Sequence, residues 1–274
     1  MALFLLNNMK NTSSSFQRNF FVQTLRVFAA LMVREMITRY GRSWGGYIWA
    51  IIEPMSVILM LTLLFAQILD RPIYGDSFLL FFATGYLPFY FFMNISGQVS
   101  GGIAVNRELL QLPMVKPIDV LFARFVLGYL TLLIVSAIIF YVAALTIRHG
   151  ISFDPVSLLA GFTSAALLGL GVGCLNAFIF AILPVWRQVW GVLSAPLLII
   201  SGVFYPLDSL PVQIQNILVW NPVVHAIGRT RAAFYPSYRD DYVDLPYVLV
   251  IALATFLLAL YFLLRHRTIL IESK

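Results

Sequence analysis

Residues 156–182 read VSLLAGFTSAALLGLGVGCLNAFIFAI and include no charged side chain. A helix needs about 20 mostly apolar residues to cross the hydrocarbon core of a bilayer. The stretch therefore predicts a membrane-spanning helix that is long enough to tilt. Asp154 and Pro155 precede it and match an N-cap followed by proline at the first helical position. Gly169, Gly171 and Gly173 lie within it and favour close packing against neighbouring helices.

Five other stretches predict further spans, at 48–69, 77–97, 120–147, 189–205 and 247–265, and 189–205 is the shortest of them. Pro246 is placed to open the last span in the way that Pro155 opens the fourth. The composition agrees, because 61% of the residues are hydrophobic and only 11% are charged, whereas soluble domains carry about 25% charged residues. The sequence thus predicts an all-α integral membrane protein of six transmembrane helices, in a single domain spanning residues 1–274.

The basic residues orient these spans. Thirteen of the 18 Lys and Arg residues fall on the side of the N-terminus, and five fall on the other side, namely Arg71, Arg148, Arg229, Arg231 and Arg239. Cytoplasmic segments carry the excess of Lys and Arg, so both termini are predicted to be cytoplasmic. The net charge of +6 does not form a basic stripe with interleaved aromatics. It is better explained by anionic lipid than by a nucleic-acid partner.

Two segments are neither spans nor plain loops. After a flexible cytoplasmic tail at 1–19, residues 20–42 predict an amphipathic helix at the cytoplasmic interface. Its apolar positions are Val22, Leu25, Ala29, Met32, Val33, Met36 and Tyr40, and its polar face holds Arg26, Arg34, Glu35 and Thr38. The segment 206–238 contains short helical patterns at about 210–219 and 222–234, the second opened by Asn221 and Pro222. These helices are predicted to be re-entrant or to rest on the outer leaflet.

Several kinds of chemistry lack their motifs. No glycine precedes a lysine, so the phosphate-binding P-loop is missing, and HExxH does not occur. Asp240, Asp241 and Asp244 form one DDxxD-like cluster, which is either a solvated acidic loop or half of a magnesium–diphosphate site. A membrane glycosyltransferase would need more clustered acids, and a secondary transporter would show an inverted repeat. The only cysteine, Cys174, cannot form an internal disulfide.

Polar and aromatic residues within the spans are the candidates for transport. Glu53 is the acidic residue well placed within a span, where it either serves transport or has a structural role, pairing with Arg42 or capping a neighbouring helix end. Aromatic residues near the membrane interfaces either anchor the protein in lipid or stack on sugar rings. The residues predicted to line a channel are Tyr47, Trp49, Glu53, Tyr86, Tyr90 and Trp190.

Three motifs occur in a specific order. They are RYGRSWGGYIWAIIEP at 39–54, NRELLQLP at 106–113 followed by VKP at 115–117, and Asn221-Pro222 followed by Arg229. Together they resemble the membrane subunits of ABC-2 type transporters, and the resemblance covers about residues 20–268. Within that family the size and compact loops are most similar to capsular polysaccharide exporters of Gram-negative bacteria. O-antigen, teichoic-acid and drug exporters share the layout and remain alternatives.

The resemblance implies a homodimer in the bacterial inner membrane that exports lipid-linked polysaccharide. Two copies of a separate ATPase subunit would bind ATP and Mg²⁺, so this chain is expected to hold no cofactor and to be no enzyme itself. A periplasm-spanning copolymerase and an outer-membrane exporter are the other implied partners. The loop 98–118 would carry the cytoplasmic coupling helix, with contacts to the ATPase from Asn106, Arg107, Glu108, Leu109 and Leu110.

Spans one and five are predicted to line a channel at the dimer interface. The phosphate of a lipid primer is predicted to bind Arg39 and Arg42, whose alternative role is ordinary membrane anchoring. The segment 206–238 would close the channel on the periplasmic side. Its expected gate residues are Tyr205, Trp220, His225, Arg229 and Arg231, although His225 has the alternative of satisfying a backbone partner.

Overall fold

A computed structural model of the chain describes residues 28–38, 45–110, 116–147 and 152–266, and these ranges contain helices and no strand. The helices are α1 (28–38), α2 (Gly45–Ala66), α3 (Phe78–Ser100), α4 (Gly102–Val105), α5 (Arg107–Leu110), α6 (Pro117–Ala144), α7 (Pro155–Ile182), α8 (Trp186–Ile200), α9 (Val212–Leu218), α10 (Pro222–Ala232) and α11 (Leu245–Arg265). A 3₁₀ turn at Leu207–Ser209 lies between α8 and α9.

Five of these helices, α2, α3, α6, α7 and α11, are long and apolar enough to cross a membrane. They confirm the spans predicted at 48–69, 77–97, 120–147, 156–182 and 247–265. The remaining predicted span, 189–205, corresponds to α8, which has 15 residues. At 1.5 Å per residue α8 is about 22 Å long, which is shorter than the hydrocarbon core of about 30 Å. It ends because the chain turns at Gly202, whose φ is +77°.

The helix starts follow the predicted capping signals. The side chain of Asp154 accepts a hydrogen bond from the Val156 N–H at 3.0 Å, and that of Asn221 accepts one from Val223 at 3.1 Å. At α11 the cap is Asp244, which accepts from the Tyr247 N–H at 2.9 Å, and Pro246 lies in the first turn as predicted. Each cap satisfies a backbone donor that the helix itself cannot pair.

The core of the fold is the pair α3 and α7. A Cβ at Gly169 would lie 2.8 Å from the Phe92 carbonyl oxygen, and one at Gly173 would lie 2.9 Å from the Ser96 carbonyl oxygen. The backbones of the two helices are therefore in contact, which only glycine permits at these positions. Gly171 faces α11 in the same way, because its Cβ would lie 2.6 Å from the Ala252 carbonyl oxygen. The predicted role of these glycines in close packing is confirmed.

Helix α10 completes this core. It packs against α3, α7 and α11, and eight of its 11 residues are buried. A Cβ at Gly161 of α7 would lie 2.9 Å from the Ala226 carbonyl oxygen. Sequence reasoning placed a helix here but gave no sign that it is an interior one, because its composition is only moderately apolar.

Helices α2 and α8, by contrast, are mostly exposed. Helix α8 contains no buried residue, and in α2 only Pro54, Ile58 and Leu61 are buried. Their exposed apolar side chains include Trp49, Leu63, Val192 and Ile199. Among the described residues, these two helices therefore leave most of their apolar side chains uncovered.

Candidate functional site

The predicted functional residues lie at the two ends of the bundle and on α2, α3 and α8. One end, called here the coupling end, consists of α1, α4, α5 and the start of α6. The other, called here the gate end, consists of the connections 67–77, 201–211 and 233–244.

Arg231 of α10 is the central residue of the gate end. Its side chain is 1% exposed. Nη1 donates to the Tyr205 carbonyl oxygen at 2.8 Å, and Nη2 donates to the Val203 carbonyl oxygen at 2.9 Å. The guanidinium also lies over the Phe81 ring, 4.7 Å from its centroid. Because both carbonyls follow α8, Arg231 places a positive charge where the dipole of that helix is negative. The predicted gate residues Arg231 and Tyr205 are therefore brought together.

His225 joins α10 to the start of α11. Its Nδ1 accepts a hydrogen bond from the Asp244 N–H at 2.9 Å, and its Nε2 lies 2.8 Å from the Val219 carbonyl oxygen. Since a carbonyl only accepts, the proton must be on Nε2, and these two bonds define the neutral Nε2–H tautomer. The ring is 1% exposed. His225 thus satisfies backbone partners, as the structural alternative expected.

The other gate residues lie nearer the surface. Arg229 pairs with Asp240 at 3.1 Å, and each side chain is 35% exposed. Trp220 is 77% exposed, and its carbonyl accepts a hydrogen bond from the Tyr247 hydroxyl at 2.8 Å. Two members of the acidic cluster therefore have structural partners, because Asp240 forms this ion pair and Asp244 caps α11.

A group of tyrosines at the gate end was missed by sequence reasoning. The Tyr74 hydroxyl donates to the Asp208 carboxylate at 2.6 Å, and its ring packs edge-on against Tyr238 with centroids 5.2 Å apart. Tyr238 and Tyr242 share a hydrogen bond of 2.7 Å between their hydroxyls. Burial, and secondly the bond to Asp208, raise the pKa of Tyr74 to about 12. These residues are far apart in sequence, so no linear pattern could have joined them.

At the coupling end α1 is attached by two polar contacts. Glu35 pairs with Arg124 of α6 at 2.8 Å, with the side chains 11% and 9% exposed, and Arg124 also donates to the Gln98 carbonyl oxygen at 2.9 Å. Arg34 donates to the Asn106 side chain. Glu35 was placed on the polar face of the predicted interfacial helix, but it is buried because Arg124 lies opposite. That partner was not visible in the periodicity.

Some of the predicted coupling residues are buried in the protein, and others are exposed. Asn106 is 3% exposed and Leu110 is 2% exposed, and the Asn106 side chain also donates to the Gly102 carbonyl oxygen at 3.0 Å. Leu109 is half-buried and Glu108 is exposed. The Arg107 side chain, together with all of Arg39 and Arg42, lies outside the described part of the chain. The roles of these residues in coupling and phosphate binding remain predictions.

The predicted channel residues likewise include both exposed and buried side chains. On α2, Tyr47, Trp49 and Glu53 are exposed, and on α8 Trp190 is half-buried. Tyr86 and Tyr90 of α3 are buried, with rings stacked 5.8 Å apart. The exposed residues Trp49, Glu53, Ser56 and Met60 follow one another at intervals of three or four and share a face of α2. A carboxylate therefore stands on an open face of a membrane-spanning helix.

Comparison with known proteins gives consistent results. Residues 26–235 match the ABC-2 type transporter family. The chain is 32% identical to the polysialic acid transport protein KpsM of Escherichia coli over 231 residues, covering 84% of this chain and 90% of KpsM. It is 29% identical to the capsule polysaccharide export inner-membrane protein CtrC of Neisseria meningitidis, covering 90% and 93% of the two chains. For the capsule polysaccharide export inner-membrane protein BexB of Haemophilus influenzae, the identity is 28%, with 86% and 89% covered.

Proposed function

We propose that this chain, which belongs to the ABC-2 type transporter family, is the membrane-spanning permease of an ATP-driven capsule polysaccharide exporter. Its relatives KpsM, CtrC and BexB carry the names of transport proteins for polysialic acid and capsule polysaccharide. The match extends over most of each chain, so the proposal applies to the whole transmembrane domain. The chain lies in the inner membrane and crosses it several times.

The structural observation that carries the proposal is the exposed carboxylate of Glu53. A charged side chain facing lipid near the middle of a span costs about 2.5–3.5 kcal/mol even on the most lenient scale. The face Trp49–Glu53–Ser56–Met60 is therefore directed at water or at protein. A water-filled path along α2 removes the cost and supplies a polar route for a hydrated polymer. The exposed Trp49 provides an aromatic face for sugar rings on the same route.

The channel forms between two copies of the chain, with α2 and α8 on its walls. Helix α8 contains no fully buried residue in the described part of the chain, and a membrane helix tolerates this only against lipid or a partner. With α8 as the sixth span, both termini lie in the cytoplasm, and the coupling end faces the ATPase subunits. The periplasmic copolymerase and the outer-membrane exporter then continue the path beyond the gate end.

The gate end closes the path between transport cycles. Helix α10 enters the bundle from the periplasmic side as a re-entrant helix, and Arg231 attaches it to the turn at the end of α8. A movement of α8 therefore moves the turn that Arg231 holds. The ATPase acts from the other end, through the exposed Glu108 and through α1, which Arg34 attaches to the same loop and Glu35 attaches to α6. Arg39 and Arg42, which follow α1 in the sequence, bind the phosphate of the lipid primer.

Cell fractionation after deletion of the gene tests the export function. We expect the surface polysaccharide to accumulate inside the cell while its synthesis continues, and the wild-type gene to restore export. Glu53→Leu should restore it poorly, whereas Glu53→Gln, which keeps a polar side chain, should restore it partly. Normal surface polymer in the deletion strain would remove the proposed function.

Copurification with the ATPase tests the coupling assignment. Glu108→Arg reverses an exposed charge and should reduce the amount of ATPase that is retained and the transport that it drives. Asp241→Arg, at the gate end, is the matched charge reversal and should have no effect on retention. Equal retention for both variants would contradict the assignment.

Disulfide crosslinking tests the dimer. Because Cys174 is buried, cysteines introduced at 189–199 of α8 are the accessible thiols of the described chain. We expect crosslinked dimers from some of these positions and none from Leu253→Cys on the exposed side of α11. An α8 series without any crosslink would exclude this interface.

A further inference from the structure

A groove of about 410 Å³ lies at the coupling end, between the end of α3 and the start of α8. It is called here the Arg187 groove, and its lining includes Gly97, Ser100, Phe180, Arg187, Trp190 and Gly191. Trp190 was predicted to line the channel and Ser100 lies in the predicted loop 98–118, but no predicted site joined these residues. Its volume falls within the range of about 300–1,000 Å³ that is typical of small-molecule sites.

Two glycines keep the groove open without serving helix packing. A Cβ at Gly97 of α3 or at Gly191 of α8 would meet nothing within 4 Å. At Gly169 and Gly173, by contrast, a Cβ would lie less than 3 Å from a backbone oxygen of α3. Glycine weakens a helix relative to alanine, and neither Gly97 nor Gly191 offsets that weakness by a close contact. Both glycines instead border the groove.

The polar character of the groove comes from Arg187. Its guanidinium lies 5.3 Å from the centroid of the Phe180 ring, so the side chain rests on an aromatic face at the edge of the groove. No carboxylate of the described residues forms an ion pair with it. Guanidinium groups bind phosphate and carboxylate through paired hydrogen bonds. Trp190 adds an aromatic surface beside this anion site.

We propose that the Arg187 groove binds an anionic sugar unit of the transported polymer at the cytoplasmic face of the permease. The anion, a phosphate or a carboxylate, pairs with Arg187, and the sugar ring packs on Trp190 in the space left by Gly97 and Gly191. The inference rests on the proposed function, because it assigns the substrate class of that transporter to particular residues. It places recognition between α3 and α8 of one chain, apart from the Trp49–Glu53–Ser56–Met60 face of α2.

Binding of soluble probes to the purified full-length chain in lipid nanodiscs tests the groove directly. The probes are glucose 1-phosphate, glucuronate and glucose, and binding is followed by saturation-transfer NMR. We expect at least one of the two anionic sugars to bind at least tenfold more tightly than glucose. Arg187→Gln and Gly191→Leu should each weaken this binding by tenfold or more, the first by removing the charge and the second by filling the space.

Two matched controls separate the groove from general effects. Arg265→Gln removes another arginine that lies over an aromatic ring, 5.9 Å from the centroid of Tyr261, and Ala254→Leu adds the same side chain at an exposed position of α11. Both should bind the probes like the wild type. Preference for glucose 1-phosphate identifies a phosphate near the lipid anchor as the recognised group, and preference for glucuronate identifies an acidic residue of the polymer. Equal binding of all three sugars, no binding, or unchanged binding in Arg187→Gln and Gly191→Leu would overturn the inference.

The same variants, expressed in the deletion strain, distinguish this inference from the proposed function. If deletion traps polymer in the cell and Arg187→Gln and Gly191→Leu fail to release it, both stand. If deletion traps polymer but both variants export it at the wild-type rate, the groove is not the substrate site and the exporter assignment is unaffected. If deletion traps nothing, the proposed function itself fails.

Discussion

The centre of the bundle and the two helices α2 and α8 follow opposite rules of packing. In the centre, α3, α7 and α10 approach so closely that glycines contact backbone oxygens, and even an arginine is fully enclosed. On the other side, α8 buries no residue and α2 exposes a carboxylate. The centre is complete within the described residues, whereas α2 and α8 leave their faces to lipid or to a partner. An exporter of the proposed kind needs both a rigid body and a wall that moves.

The largest effect is expected from removing Arg231. Arg231→Ala leaves the carbonyls of Val203 and Tyr205 without their donor, and each hydrogen bond to a charged group contributes about 1.5–3 kcal/mol. We expect a loss of at least about 3 kcal/mol in stability, measured by thermal unfolding of the purified protein in detergent. Arg229→Ala, two residues away but partly exposed, should cost less than about 1 kcal/mol. Similar losses of stability in Arg231→Ala and Arg229→Ala would contradict the distinction between a packed centre and an exposed surface.

A smaller difference is expected between two glycine substitutions. Gly173→Ala places a Cβ 2.9 Å from the Ser96 carbonyl oxygen and should destabilise the protein by about 1–3 kcal/mol through overpacking. Gly191→Ala meets no atom within 4 Å and should be neutral or stabilising by up to about 1 kcal/mol, because alanine favours the helix. The melting temperatures of the two variants measure the contrast. A loss at Gly191 equal to that at Gly173 would show that α8 packs tightly after all.

The smallest effect is expected at Asp154, the exposed cap of the central helix α7. Its hydrogen bonds, first from Ser157 and then from the backbone, lower the pKa of the carboxyl group below its usual value. A lowered folded-state pKa means that this stabilisation is present above the usual carboxyl pKa and is lost as the pH falls through the folded value. Asp154→Ala should lower the melting temperature slightly at pH 7, and Asp154→Asn should lose only the acid dependence. If the melting temperatures of the wild type and of Asp154→Asn fell equally with pH, the lowered pKa of Asp154 would not contribute to the stability of the cap.

Features that depend on residues close together in the chain could be predicted from the sequence. Apolar runs of the right length predicted six spans, of which five are long enough in the structure, and the Asp-Pro and Asn-Pro pairs predicted the starts of α7 and α10, because capping is local. Hydropathy could not show that α10 is interior or that Tyr86 and Tyr90 are enclosed, since it does not say which helices meet. The partner of Glu35 and the tyrosines at Asp208 depend on contacts across 89 and 134 positions. Likewise, the sequence could not show that Gly173 faces the backbone of α3 whereas Gly97 faces open space.

The position of α10 also has a consequence for how the protein is made. Helices α3 and α7 leave the ribosome well before residues 222–232, yet those residues fill the space between them, with Arg231 beside Gly85 and Ala226 beside Gly161. During synthesis the two helices must therefore wait in the bilayer with a vacant slot, held open or provisionally filled by lipid. That slot closes only after residues 222–232 have left the ribosome. A nascent chain that stops at α8 would carry nearly all of the hydrophobic spans and still lack the centre of the fold.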